Sequence, residues 1–325
     1  MAERTGGQIL VDQLLIHGAT DAFCVPGESY LAVLDALHDA DMKVTICRAE
    51  GGAAMMAEAA GKLTGKPGIC FVTRGPGATN ASPGIHIADQ DSTPMILFVG
   101  QIERGMRERE AFQELDYRAV FGTMTKWATE IDDAARIPEI ISRAFHVATA
   151  GRPGPVVIAL PEDVLTDLAD VPDAAPYQVT ETHPSLLQTI DLQKRLWAAK
   201  APIAILGGSR WDPQAIARFQ RFAERFDLPV AVSFRRQMVF PADHPNFAGD
   251  LGIGPNPKLL KRIQDSDLVL LVGGRLSEMP SQSYTLFGIP NPGRPLVHVH
   301  PDAEELGRVY RPELAINASP TAFCA

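Results

Sequence analysis

Short apolar runs that end on glycine or proline alternate with segments of helical period along most of this chain. That alternation restricts the fold to mostly parallel sheets covered by helices on both faces. Residues 8–17 carry Ile9, Leu10, Leu14 and Leu15 at helical spacing, and Gly18 stops them. Strands are expected at 22–25, 43–47, 68–73, 95–99 and 156–160, with helices near 30–37, 51–63, 79–88 and 138–149 between them. Residues 101–135 are more polar and read as irregular. The stretch 167–184 holds Pro172, Pro176 and Pro184 with little periodicity, and reads as an extended linker. The pattern then restarts, with strands at 202–206, 230–233, 267–272 and 296–300, a further strand at 315–317 and a helix at 213–226. The sequence therefore predicts an α/β chain of two doubly wound parallel-sheet domains, 1–166 and 185–325, joined by the linker 167–184. The strand order is not legible.

Composition removes several classes of function. The formal net charge is −9, so the basic face needed to bind a phosphate backbone is not expected and no nucleic-acid partner is. No apolar run approaches the ~20 residues that span a bilayer, so no membrane association is expected. Residues 1–7 lack the charged-then-apolar pattern of a secretory signal. The four cysteines, Cys24, Cys47, Cys70 and Cys324, form no C-x-x-C pair, which argues against a zinc knuckle or a thioredoxin-like centre. Their scarcity suits the reducing cytoplasm.

Ligands of open α/β sheets gather at the carboxyl ends of strands. Glu50 follows one such strand and starts a helix, where a carboxylate is also favoured simply by the helix dipole. The run Arg74-Gly75-Pro76-Gly77-Ala78-Thr79-Asn80 joins the end of a strand to a helix. Its glycines permit close backbone approach and the helix start offers free N–H groups, but a tight turn alone would need the same residues. Val25-Pro26-Gly27-Glu28 is, by itself, a turn with a charge.

In order, the chain reads Phe23-x-Val25-Pro26-Gly27, Arg48-x-Glu50, Arg74 to Asn80, Ala111-Phe112-Gln113-Glu114 and Gly151-Arg152-Pro153-Gly154-Pro155-Val156. With these motifs the sequence resembles the acetolactate synthase-like thiamine-diphosphate enzymes over essentially its whole length. The resemblance implies a pyrimidine-binding first domain and a Rossmann-like central domain. It implies thiamine diphosphate as cofactor, contacted by Pro26, Gly27, Glu50, Gly75, Pro76, Gly77 and Asn80. Glu50 takes the role of the glutamate that contacts a pyrimidine nitrogen and promotes the imino form, although Ala49 stands where the family usually has histidine. Gln113 is implied as a hydrogen-bond donor to a 2-oxo acid substrate. Glu28, acidic where acetolactate synthases usually have glycine, is a candidate general acid of the kind decarboxylases use. Carboligation and decarboxylation, that is, transferase or lyase, both stay open.

In acetolactate synthases the central domain binds FAD, and Arg152, Gly207, Gly208, Gly273, Gly274 and Arg275 match flavin-contacting positions. Ser209, Gly254 and Leu276-Ser277 depart from that pattern, so FAD, another nucleotide or no ligand remain as alternatives. The family's magnesium site, Gly-Asp-Gly followed by Asn, has no match; Gly249-Asp250-Leu251 is nearest. No metal is therefore expected in this chain, and magnesium belongs with a missing diphosphate-binding domain. The expectation is a homodimeric or homotetrameric enzyme represented by a piece inactive alone. The alternatives are a natural subunit needing a partner chain, and a non-catalytic nucleotide-binding regulatory module.

Overall fold

The computed structural model describes residues 3–325. They form two compact units, which divide between residues 179 and 180.

The first unit runs β1 (Arg4–Thr5), α1 (Gly6–Ile16), β2 (Asp21–Cys24), α2 (Leu31–His38), β3 (Lys43–Ile46), α3 (Glu50–Thr64), β4 (Gly68–Val72) and α4 (Pro76–Asp91). It continues with β5 (Met95–Gln101), α5 (Tyr117–Phe121), β6 (Trp127–Glu130), α6 (Ile137–Thr149), β7 (Pro155–Pro161), α7 (Glu162–Thr166) and β8 (Leu168–Ala169). Six strands form one parallel sheet in the order β3-β2-β4-β5-β7-β6. The central strands β5 and β7 are buried at every position, which is why they read as unbroken apolar runs rather than alternating ones. Their side chains still divide by parity. Ile96 and Phe98 join the core packed with α1 and α6, while Met95, Leu97 and Val99 join the core packed with α3 and α4. On the first of these faces Phe98 stacks on Phe71 with ring centroids 4.7 Å apart.

The second unit runs α8 (Leu186–Ala198), β9 (Pro202–Leu206), α9 (Pro213–Arg225), β10 (Val230–Ser233), β11 (Phe247–Leu251), α10 (Pro257–Gln264), β12 (Leu268–Val272), β13 (Leu296–His300), β14 (Leu314–Asn317) and α11 (Pro320–Phe323). Its six parallel strands take the order β11-β10-β9-β12-β13-β14. Both units are thus doubly wound α/β folds. In each, the chain builds outward on one side of its first sheet strand and then crosses to the other. The reversal falls between β2 and β4 in the first unit and between β9 and β12 in the second.

The structure adds elements the periodicity did not reveal. α5 and β6 lie inside 101–135, where β6 is an edge strand half-buried at every position. β11 carries Gly249 and Asp250, both poor strand formers, and was equally silent. The helices α8 and α10 were also missed.

The stretch read as a linker differs too. Leu168–Ala169 pairs antiparallel with Arg4–Thr5. Arg4 donates to the Val171 carbonyl (3.0 Å) and to Asp173 (2.8 Å). Gln13 donates to Asp173 (2.8 Å) and accepts from the Ala174 amide (3.0 Å), and the Tyr177 amide donates to Nδ1 of His17 (3.1 Å). Proline content signals an extended backbone; it does not say whether polar groups elsewhere will hold that backbone down. Among the described residues no helix is long and apolar enough to cross a membrane.

His17 is 4% exposed, and burial lowers its pKa below the ordinary 6.5. It accepts at Nδ1, so its proton sits on Nε2, which is buried without a partner. The fold therefore holds His17 neutral, and the unfolded chain takes up the proton first as pH falls. The stability this contributes is present above pH 6.5 and is lost below it. The melting temperature of the chain is expected to fall between pH 7 and pH 5, and less steeply in His17→Asn, whose amide oxygen can still accept from Tyr177. Equal slopes in the two proteins would show that His17 does not titrate in this way.

Candidate functional site

The strand reversal of the first unit falls between β2 and β4, and in such sheets the place for a ligand is the crevice at the carboxyl ends of those strands, here beside the end of β3. Glu50 enters it as the first residue of α3. Among the described residues its side chain makes one hydrogen bond, accepted by Oε2 from Asn80 Nδ2 at 3.3 Å, and no ion pair. It is half-buried. A carboxylate at a helix start with most of its acceptor capacity unspent can bind a donor from outside the chain.

Thr73, the residue after β4, organises the crevice. Its hydroxyl bonds to that of Ser29 at 2.8 Å. A Cβ on Gly27 would lie 2.6 Å from Thr73 Cβ, and one on Gly77 would lie 2.7 Å from Thr73 Cγ2. The Gly77 position is also 3.6 Å from Glu50 Oε1, so the bare backbone there leaves room in front of the carboxylate. Pro26 is exposed beside Gly27, and Pro76 opens α4.

Gly75 caps α4 with φ 53° and ψ −109°, a conformation open to glycine alone. Its amide donates to the Tyr117 hydroxyl at 2.7 Å. Tyr117 is fully buried, and burial pushes its pKa up to about 12. Gln113, itself in the left-handed region with φ 65°, packs on Gly75, where an added Cβ would meet Gln113 Cβ at 2.8 Å. The loop between β5 and α5 therefore delivers Gln113 to the β4–α4 turn.

Glu28 is farther out. Its side chain is 77% exposed and lies 3.7 Å from Arg74, which also lies 3.4 Å from Glu162. The crevice thus brings Glu50, Gly77 and Asn80 together and sets Gly27, Gly75 and Gln113 around them, with Glu28 at the rim. Sequence reasoning missed Thr73, Tyr117 and the bridging role of Arg74. Arg74 opens the quoted glycine run and Thr73 precedes it; Tyr117 left no local signal, because its bond reaches across 42 positions.

The second unit is also a doubly wound parallel sheet, but its strand order differs and so do the surroundings of its strand reversal. A Cβ on Gly208 would lie 1.8 Å from the Gly273 carbonyl oxygen. One on Gly273 would lie 2.5 Å from the Gly207 oxygen and 2.8 Å from Pro320 Cγ. A Cβ on Gly207 would meet Ser233 Cβ at 2.9 Å and Gly274 Cα at 3.1 Å. The Trp211 indole donates to the Gly207 carbonyl at 2.8 Å. His298, fully buried, donates through Nε2 to the Gly274 carbonyl at 2.9 Å; burial, reinforced by His300, lowers its pKa to about 4 and keeps it neutral. Arg275 lies 3.8 Å from Glu305. Arg152 belongs to the first unit, where it donates to Ser92 Oγ at 2.9 Å and to the Asp89 carbonyl. Among the described residues no group of three or more His, Cys, Asp or Glu is placed to hold a metal ion.

Comparison with known proteins agrees with this division. Residues 4–120 match the family described as thiamine pyrophosphate enzyme, N-terminal TPP binding domain, and residues 190–325 match thiamine pyrophosphate enzyme, central domain. An acetolactate synthase of Bacillus subtilis is 28% identical over 97% of this chain and 55% of its own length. The acetolactate synthase isozyme 2 large subunit of Escherichia coli is 29% identical over 98% of this chain and 58% of its own. A probable acetolactate synthase large subunit of Methanocaldococcus jannaschii is 31% identical over 96% and 53%. The chain spans about half the length of the curated relatives it matches.

The crowding at Gly75 and the open space at Gly52 are directly testable. Gly75→Ala must displace Gln113 and take a strained φ, and is expected to cost about 1–3 kcal/mol. Gly52→Ala, inside α3 with nothing within 4 Å of the new Cβ, is expected to stabilise by up to about 1 kcal/mol. Urea unfolding of both variants checks the contrast, and equal effects would contradict the packing described.

Proposed function

The chain belongs to the thiamine pyrophosphate enzymes, and we propose that it supplies the pyrimidine side of the cofactor site of a 2-oxo-acid carboligase or decarboxylase of the acetolactate synthase kind. The observation that carries this is the Glu50 carboxylate, held at the head of α3 with room before it over Gly77 and one long bond to Asn80. Thiamine diphosphate, when bound, supplies the electron sink for breaking the bond next to the carbonyl of a 2-oxo acid.

The chain's own residues do the positioning and the proton control. Glu50 holds a proton between its carboxyl group and a nitrogen of the pyrimidine ring, and Asn80 steadies the other carboxylate oxygen. The bare backbone at Gly77, whose Cβ position lies 3.6 Å from Glu50 Oε1, would leave the ring room to reach this carboxylate. Gln113, fixed against Gly75, offers an amide donor to the substrate oxygen. Glu28, exposed and close to Arg74, is the group we assign to protonating product, which favours aldehyde release over ligation. Magnesium and the diphosphate are placed outside this chain, on a further domain or a partner chain, in a dimer or tetramer.

FAD receives no role in this proposal. Gly208 and Gly273 are explained by the approach of their own two turns, so their lack of side chains does not by itself call for a flavin.

The test pairs this chain with the domain that binds the diphosphate, and follows proton exchange at the reactive thiazolium carbon by NMR. Glu50→Gln is expected to slow that exchange about 100-fold or more; unchanged exchange would overturn the role of Glu50. Glu28→Gly is expected to leave exchange intact and raise the ratio of ligated product to aldehyde. A constant ratio would remove Glu28 from the chemistry.

A further inference from the structure

The second unit carries a cavity at the amino ends of its strands, the opposite end of the sheet from the glycine turns. Residues 291–295 lead into β13 and residues 311–313 lead into β14, and these two segments, with Arg195 of α8, line an open cavity of about 660 Å³. That volume lies in the range of small-molecule sites, roughly 300–1,000 Å³. Pro292, Pro295 and Pro312 stand in its wall, so the backbone around it is stiff before any ligand arrives.

Three arginines and one glutamate line the cavity. Arg195 is already matched, 2.8 Å from Glu313 and 3.2 Å from Asp191. Arg294 and Arg311 are not: among the described residues neither is in an ion pair. Arg294 gives one N–H to the Ile263 carbonyl and lies 5.4 Å over the Phe287 ring, while its Nε is buried with no acceptor. Arg311 is exposed. Two guanidinium groups without a carboxylate partner in one concave site are unexpected in a chain of net charge −9.

We propose that this cavity binds a small phosphate-bearing anion. Guanidinium forks match phosphate oxygens in geometry as well as charge, and the paired donors, rigid walls and surplus positive charge suit a compact dianion better than a neutral or extended ligand. The site lies within the second unit, and occupying it stabilises that unit.

Calorimetry on the full chain with inorganic diphosphate, in chloride buffer of matched ionic strength, tests the assignment. Saturable one-site binding is expected, weakened about tenfold or more in Arg311→Gln, where one charge-assisted contact is lost. Arg311 is exposed and unpaired, so this variant should keep the parent's melting temperature. Arg221→Gln, the same charge change on an exposed residue outside the cavity, is expected to bind like the parent. Equal losses in the two variants, or no saturable binding at millimolar diphosphate, would overturn the site. Malonate binding as tightly as diphosphate would overturn the assignment to phosphate.

Discussion

Everything about the first crevice depends on one crowded point, the side chain of Thr73 at the end of β4. It occupies space that a Cβ at position 27 or at position 77 would need, and its hydroxyl ties down Ser29. The turn after β2 and the turn after β4 can therefore close on each other only if both present bare backbone. That closure leaves the Glu50 carboxylate facing room instead of a neighbour. A β-branched residue suits this point, since its two branches are stiff and cannot swing aside.

The two units show how little topology alone decides. Each has a six-stranded parallel sheet, a strand reversal beside its first strand, and glycines at the strand ends flanking it. In the first unit those glycines leave open a half-buried carboxylate with unspent acceptor capacity. In the second they press on one another, with Trp211, Pro320 and neutral His298 fixing their carbonyls and filling the gaps. Fold gives a place where a ligand could bind; the side chains around it decide whether one is needed.

What the sequence reveals follows the same division. Central strands such as β5 and β7 announce themselves because burial on both faces forces an apolar run, and the Arg74–Asn80 and Pro26–Gly27 turns mark the strand ends where the crevice lies. The half-buried edge strands β6 and β11 leave no such pattern. Long-range partners are equally silent, because nothing near Gly75 points to the hydroxyl of Tyr117 that holds its amide. Glycine is the most ambiguous letter of all. It reads the same in Gly77, which makes room before a carboxylate, and in Gly208, which makes room for another turn of the same chain.

The return of β8 to pair with β1 has an architectural consequence. It sets the point where the polypeptide enters the first unit next to the point where it leaves, and Arg4, Gln13 and His17 then fasten the exit for several residues more. A body whose entry and exit adjoin can be spliced into a longer polypeptide, duplicated or re-joined in a new order without rerouting its interior. The first unit is thus built as a transferable cassette, whose seams are two short strands rather than any part of the sheet that positions Glu50.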